Sequence, residues 1–340
     1  MNRTSGRETD VLIVGGGLCG LIAARSLAES GVQAEVLDKG RGVGGRLATR
    51  RIGPGRADHG AQFLTAESPL FRRMVRAWHK QGLVSEWCTG WSEGSISSDR
   101  TEAIVRWAVP GGMNTLARHL AEGLDARPGT RVSRLESAND GTWHVHDDAG
   151  GVHRARVVVL TPPVPQTLEL LEVSGLRLPY DESYALRRVS YTRCLVGMFW
   201  FEDGVDIPEP GLLEGVGDGI AFIADNRRKG VSPEALLITV QAASALSDEL
   251  YEAADDVVLD RLEAALAPYR ARSAVVRERQ LKRWRYALPV VRYPDRALRA
   301  TIGGRPPLIL AGDGFGGLRI EGAALSGLRA AELATESLGR

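Results

Sequence analysis

Three glycines and one acid carry the first recognisable chemistry in this 340-residue chain. Gly15, Gly17 and Gly20 stand in G-x-G-x-x-G spacing directly after the apolar run Val11-Leu12-Ile13-Val14. Asp38 closes a second apolar run that begins at Val32. A pyrophosphate needs backbone that can approach it with no Cβ in the way. Gly15 permits the tight turn, Gly17 the close approach, and Gly20 the packing of helix on strand. Leu18, Leu21, Ile22, Ala24 and Leu27 recur at helical spacing, so a helix starting at Leu18 would add free N–H groups and partial positive charge. Asp38 falls where an acid accepts hydrogen bonds from a ribose. The glycine spacing alone describes many ordinary turns. Strand, turn, helix, strand and acid in this order point to a dinucleotide site, with Leu18, Cys19 and Lys39 beside it.

The bulk numbers narrow the class. The length suggests two domains, and 44% hydrophobic with 25% charged residues is ordinary for a globular chain. A net charge of +1 advertises neither nucleic acid nor an anionic membrane as partner. Cys19, Cys88 and Cys194 are odd in number and far apart, so they form neither a disulfide framework nor a zinc pattern. A reducing cytoplasm is the simplest setting. Arg3 and Arg7 precede an apolar run, but glycines interrupt it, which argues against a secretion signal. No stretch approaches the ~20 apolar residues of a membrane helix. Walker A, G-x-S-x-G and H-E-x-x-H patterns are absent, which leaves no signal for phosphoryl transfer, acyl transfer or metal hydrolysis. His59 and His79 lack metal-ligand spacing, and no metal is expected.

A second element follows the acid at once. Arg41-x-x-Gly44-Gly45-Arg46-x-x-Thr49 resembles the R-x-G-G-R-x-x-S/T element of the amine-oxidase-like flavoprotein superfamily. Paired glycines allow a second close backbone pass beside the pyrophosphate, and Arg46 can add charge to it. Asp58-His59-Gly60-Ala61-Gln62-Phe63-Leu64-Thr65 narrows the resemblance to renalase-type FAD enzymes, whose corresponding run lies against the flavin ring. Val105-Arg106-Trp107, Gly111-Gly112-Met113, the run Trp284 to Ala287 and the C-terminal block carry the same resemblance, so it spans most of the chain.

The resemblance implies an α/β fold: a FAD-binding Rossmann-type domain of the amine-oxidase-like kind, with a second α+β substrate domain built on a mainly antiparallel sheet. Residues 1–66, 108–168 and 299–340 are expected in the first, and 67–107 and 169–298 in the second. It implies FAD contacts at Gly60, Ala61 and Gln62, at the backbone of Val132 beside the adenine, and at Thr161, where a strand leaves the nucleotide domain. Pro306 to Asp313 reads as that domain's last strand. Gly312 then lets the chain pass close to the cofactor, and Asp313 can bond a ribityl hydroxyl. A helix starting near Glu321, with Gly322 and Ala323 small enough for close packing, would stabilise the negative charge of reduced flavin. No cysteine lies in the C-terminal block, so the FAD is expected to be non-covalent.

Other elements follow from pattern. Phe71, Met74, Val75, Trp78 and Leu83 suggest an amphipathic helix, and Trp87, Trp91 and Trp107 follow it; such aromatics are mostly core. Trp143 to His146 and Val152 to Val157 read as a hairpin, and Val157 to Leu160 as a buried strand. Residues 192–201, 219–224, 235–242 and 280–286 read as strands of the second domain. Ser247 to Ala267 reads as one helix, capped by Ser247 and ended by Pro268. Asp225-Asn226-Arg227-Arg228-Lys229 reads as a solvated charged loop.

Renalase-type enzymes imply a particular hydride donor: the 2- or 6-dihydro isomers of NAD(P)H. Hydride passes to flavin N5, NAD(P)+ is released, and O2 reoxidises the flavin to give H2O2. Gln62, Trp284, Tyr286 and Phe315 are the expected residues at the reacting end, Trp284 and Tyr286 by alternation along one strand. Core packing is the plain reading for that pair. Two alternatives remain open: a flavin-dependent amine oxidase, and a non-catalytic binding protein on the same fold. The expected partners are a dihydropyridine nucleotide and O2, with the chain acting as a monomer or weak dimer and no nucleic acid or membrane involved.

Overall fold

The computed structural model describes residues 8–90, 104–317 and 319–340. Residues 1–7, Trp91 and Leu318 lie outside the described residues. The chain forms two compact units: Met1–Gly45 with Ala117–Ser190 and Pro289–Arg340, and Arg46–Leu116 with Tyr191–Leu288.

The first unit is built on an eight-stranded sheet. Its spine runs Ala297–Ala300, Leu308–Ala311, Val152–Leu160, Thr9–Val14, Ala34–Asp38, Asp125–Pro128. All neighbours on the spine are parallel except the antiparallel first pair. Parallel strands covered on both faces must be apolar throughout, and Val11, Leu12, Ile13, Val157, Val158, Val159 and Ile309 are all fully buried. Each such side chain contributes roughly 1.5–3 kcal/mol relative to exposure. Helices Leu18–Glu29 and Arg319–Ser337 cross at Gly327, where a Cβ would meet Cys19 O at 2.4 Å. The hairpin arm at Val152 and the buried strand ending at Leu160 are one nine-residue strand, not two. It pairs antiparallel with Trp143–Asp147 over its first part and parallel with Thr9–Val14 from Ala155 on.

The second unit holds a five-stranded antiparallel sheet in the order Leu212–Gly217, Ile220–Asp225, Leu236–Ala242, Cys194–Phe201, Val276–Trp284. One face presents Leu195, Phe199, Ile238, Val240 and Leu281 to a core shared with Val258, Leu259 and Leu262. The expected single helix over 247–267 is instead two, Ser244–Leu250 and Asp255–Ala264, followed by a short 3-10 turn. Asp255 and Asp256 start the second helix, where acids suit the positive end of its dipole. Ser247 caps nothing; it is buried, and its Oγ accepts from Leu195 N at 3.1 Å. The helix expected near Phe71 is Pro69–Lys80, with Ser68 as N-cap and Phe71, Val75 and Trp78 buried.

The domain boundaries also differ from expectation. Residues 46–66 and 108–116 belong to the second unit, because the hairpin Thr49–Ile52/Gly55–Asp58 packs Ile52 and Ala57 on Met198 and Leu237. Residues 169–190 and 289–298 belong to the first: Ser174 Oγ accepts from Leu135 N at 2.8 Å, and the strand starting at Ala297 pairs with Leu308–Ala311. No helix among the described residues is long and apolar enough to cross a membrane.

On the first unit's sheet, His153 is clamped between two acids, Nδ1 at 3.0 Å from Glu35 and Nε2 at 3.0 Å from Asp147. The Glu35 hydrogen bond, with help from Asp147 and against the cost of burial, raises the imidazole above its usual 6.5. A raised folded-state value stabilises the protein fully below pH 6.5, and the gain is lost as pH rises through the folded value. His153→Gln is therefore expected to lower the urea midpoint most near pH 6 and much less near pH 9. A loss independent of pH would show that His153 acts only through packing.

Candidate active site

In the first unit the glycine turn is shaped as the spacing predicts. Gly15 has φ +106°, and Thr161 Oγ lies within hydrogen-bonding reach of Val14 O at 3.0 Å and Gly15 O at 3.1 Å. The expected cofactor residue Thr161 thus holds the turn itself. A Cβ on Gly20 would meet Gly15 O at 2.0 Å, whereas one on Gly17 meets nothing within 4 Å. Gly20 is there for packing, and Gly17 for whatever lies outside the protein. The helix starting at Leu18 has no side-chain cap and no acid in its first turn, which leaves its N–H groups for an anion. Asp38 Oδ2 accepts from Gly16 N and Oδ1 from Gly40 N, both at 2.6 Å. Those bonds fix the carboxylate at the tip of its strand. Gly44 N donates to Gly16 O at 2.7 Å, so the second glycine pair does run beside the first. A Cβ on Gly45 would lie 3.4 Å from Gly17 Cα. Lys39 donates to Gln166 Oε1 at 3.1 Å, and Arg41 is exposed.

Near the C-terminus of the same unit, Gly312 has φ +136° and its N–H donates to Ser326 Oγ at 2.8 Å. Ser326 is wholly buried and also lies 3.8 Å from Cys19 Sγ. It ties the last strand to both crossing helices, and no sequence signal marked it. Burial pushes the Cys19 thiol up to about 12, so it is inert at neutral pH. Asp313 is buried, and Phe315 is buried against Tyr293 with ring centroids 5.3 Å apart. Gly317 and Gly322 touch backbone to backbone, since a Cβ on Gly322 would sit 2.4 Å from Gly317 C. Glu321 lies in the first turn of the helix Arg319–Ser337, with Ala323 two residues on. Val132 is half-buried on the hairpin strand Val132–Ser137.

In the second unit the Asp58–Gln62 turn is the hub of a buried polar network. Asp58 Oδ2 pairs with Lys229 Nζ at 2.7 Å, both side chains fully buried. Asp58 Oδ1 accepts from Thr49 Oγ1 at 2.6 Å and Met113 N at 2.8 Å. Gln62 Nε2 donates to Asp58 O at 2.8 Å, and its Oε1 accepts from Lys229 at 3.2 Å. Gln241 Nε2 donates to Gly60 O at 2.8 Å, and Thr239 Oγ1 to Asp58 O at 3.0 Å. A Cβ on Gly60 would meet Arg46 O at 2.0 Å. Burial pulls Lys229 below the usual lysine range against the pull of Asp58. The charged run at 225–229 is therefore only partly solvated: Asp225, Asn226 and Lys229 are buried, while Arg227 and Arg228 are exposed. Nothing in a run of mixed charges marks the one lysine that turns inward. Thr239 and Gln241 were legible, as polar alternates in the apolar strand Leu236–Ala242.

Trp284 ends its strand, and Tyr286 lies beyond it, so alternation does not pair the two. Trp284 Nε1 donates to His59 O at 2.6 Å, and the two rings stack at 5.6 Å and 16°. Tyr286 meets Tyr191 edge-on at 5.6 Å, and its carbonyl accepts from Arg46 Nη1 at 3.1 Å. Arg46 also donates to Ala287 O and lies over the Tyr191 ring. Burial, with Arg50 and Lys282 nearby, pushes His59 down to about 3 and keeps it neutral.

The model of flavin-containing amine oxidoreductases matches residues 78–335, and that of a NAD(P)-binding Rossmann-like domain matches residues 13–78. The chain belongs to the flavin-containing amine oxidoreductase family. This flavin oxidoreductase is 25% identical to mouse (Mus musculus) renalase over 323 residues, covering 90% of this chain and 92% of that one. Among solved structures, a protein of Exiguobacterium sp. provisionally described as a protoporphyrinogen oxidase superposes with a TM-score of 0.73 at 15% identity, covering 99% of this chain and 100% of that one. Wild-type putrescine oxidase bound to putrescine gives 0.71 at 16% identity, with coverage of 99% and 100%. The likeness to renalase and the α/β Rossmann fold are thus both found, and FAD is the cofactor. The open Gly17 surface, the uncapped helix and the tethered Asp38 have a chemistry that fits such a cofactor.

Proposed function

We propose that this flavin oxidoreductase oxidises the 2- or 6-dihydro isomers of NAD(P)H. FAD, non-covalently bound, would accept the hydride and pass two electrons to O2, giving NAD(P)+ and H2O2. The state of the basic groups in the second unit carries this reading. His59 is held neutral at about 3, and Lys229 is committed to Asp58. An aminium substrate must shed a proton before a C–H bond can release hydride; His59 is too weak a base to take it, and Lys229 is already paired with Asp58. A dihydropyridine has no such proton, and losing hydride makes it an aromatic pyridinium.

On this reading Gly15, Gly17, Leu18, Cys19, Gly20 and Gly45 hold the pyrophosphate end of FAD, whereas Arg46, expected there too, engages the Tyr286 and Ala287 carbonyls. Asp38 takes a ribose, Val132 the adenine and Asp313 the ribityl chain, with Gly312, Glu321, Gly322 and Ala323 near the flavin. Gln62, Trp284, Tyr286 and Phe315 shape the reacting end. Gln62 does so as a fixed amide, since Lys229 on its oxygen leaves its nitrogen to donate. The three described cysteines are free, in keeping with a reducing cytoplasm as the setting.

The products test the reading. Aerobic turnover of purified 2- and 6-dihydro-NAD(P) should release NAD(P)+ and H2O2 in equal amounts. Aldehyde and ammonia from a primary amine, with no oxidation of either isomer, would favour the amine-oxidase alternative instead.

A further inference from the structure

The strand Val276–Trp284 points Glu278, Gln280, Lys282 and Trp284 to the face opposite Leu281 and the helix-covered core. The hairpin Thr49–Ile52/Gly55–Asp58 runs beside that row. Gly53 N donates to Glu278 Oε2 at 3.0 Å, and Arg50 Nη1 to Gln280 Oε1 at 3.2 Å. One step on, the His59 ring stacks on Trp284, and Lys282 Nζ lies 4.5 Å from the Trp284 centroid. The charges along this row do not balance. Glu278 is occupied with Gly53 N and, through Oε1, with Gln280 Nε2 at 2.6 Å. Among the described residues no carboxylate pairs with Arg50 or Lys282. Half-burial and, after it, the charge of Arg50 pull Lys282 below the usual lysine range, so the two cations feel each other. His59 adds a buried Nδ1 that has no partner among the described residues. Two neighbouring, half-buried cations without a paired anion make a local positive potential that attracts an anion.

We infer that Arg50 and Lys282, beside the His59–Trp284 stack, form a subsite for the phosphate groups of a dinucleotide substrate. The inference rests on the proposed pyridine-nucleotide substrate and names the part of it that this chain grips. Arginine offers a planar fork to a phosphate, and lysine offers a point charge. The same face would repel a cationic amine.

The test uses the FAD-loaded protein with Arg50→Gln, Lys282→Gln and the charge-keeping Arg50→Lys. Apparent Kd for flavin reduction is measured anaerobically with 6-dihydro-NAD and with the corresponding N-methyl dihydronicotinamide, which carries no phosphate. Each glutamine variant should raise Kd for the dinucleotide about tenfold, should shift that for the phosphate-free donor by less than about twofold, and Arg50→Lys should recover much of the loss. Equal shifts for both donors, or none for the dinucleotide, would overturn the subsite. Should no dihydropyridine reduce the flavin, the functional reading fails on its own. Binding of inorganic pyrophosphate and of ADP-ribose, read by titration, still decides the subsite. Wild-type binding weakened in both glutamine variants supports it, and binding indifferent to them contradicts it.

Discussion

Gly17→Val yields a folded protein that purifies without FAD. The backbone at Gly17 (φ −74°, ψ −179°) is open to any residue, and a Cβ there touches no protein atom within 4 Å. The valine would fill the space through which the pyrophosphate approaches the helix N-terminus. The loss in FAD affinity should exceed about 100-fold, or about 2.7 kcal/mol, with the apoprotein melting temperature close to that of wild-type apoprotein. Gly20→Val is the contrasting case. Its Cβ would sit 2.0 Å from Gly15 O, so it should lower apoprotein stability before any cofactor is added. Full FAD occupancy in Gly17→Val would place the cofactor elsewhere.

Lys229→Met should be among the most destabilising single substitutions in the second unit. Among the described residues it leaves the buried Asp58 carboxylate only Thr49 Oγ1 and Met113 N as partners. Removing one member of a buried ion pair costs about 3–5 kcal/mol, because the other charge stays desolvated. Adding Asp58→Asn to Lys229→Met removes that orphan charge and should restore part of the loss. The coupling is read from a double-mutant cycle of urea unfolding. A single-variant cost below about 1 kcal/mol, or additive costs, would mean that the pair is not what fixes the turn. Gln62 would also lose the donor that orients its amide, so flavin reduction should slow in the variant even where the protein is folded.

Much of the nucleotide unit was legible because its constraints are local. The Val11–Val14 strand, the glycine turn and Asp38 lie within a few dozen residues, and each glycine has its own steric reason. Gly15 makes the turn at φ +106°, Gly20 packs against Gly15 O, and Gly17 faces open space. The second unit was harder to read because its contacts join distant segments. Lys229 meets Asp58 across 171 positions, and its neighbours in sequence are charged residues that face water. Ser326 reads as a small helical residue until Gly312 N is seen to donate to it. The 247–267 segment misled for the opposite reason: its helical spacing runs on through Tyr251–Ala254, where the chain turns. Tyr286 misled by one step of periodicity, since the strand stops at Trp284.

What reduces the flavin decides the substrate. Anaerobic single-turnover mixing of the FAD-loaded protein with 2-dihydro-NAD, 6-dihydro-NAD, ordinary NADH and putrescine follows loss of oxidised-flavin absorbance directly. Rapid bleaching by one of the first two, with putrescine and NADH inert, is the expected result. Bleaching by putrescine while both isomers leave the flavin oxidised would contradict it.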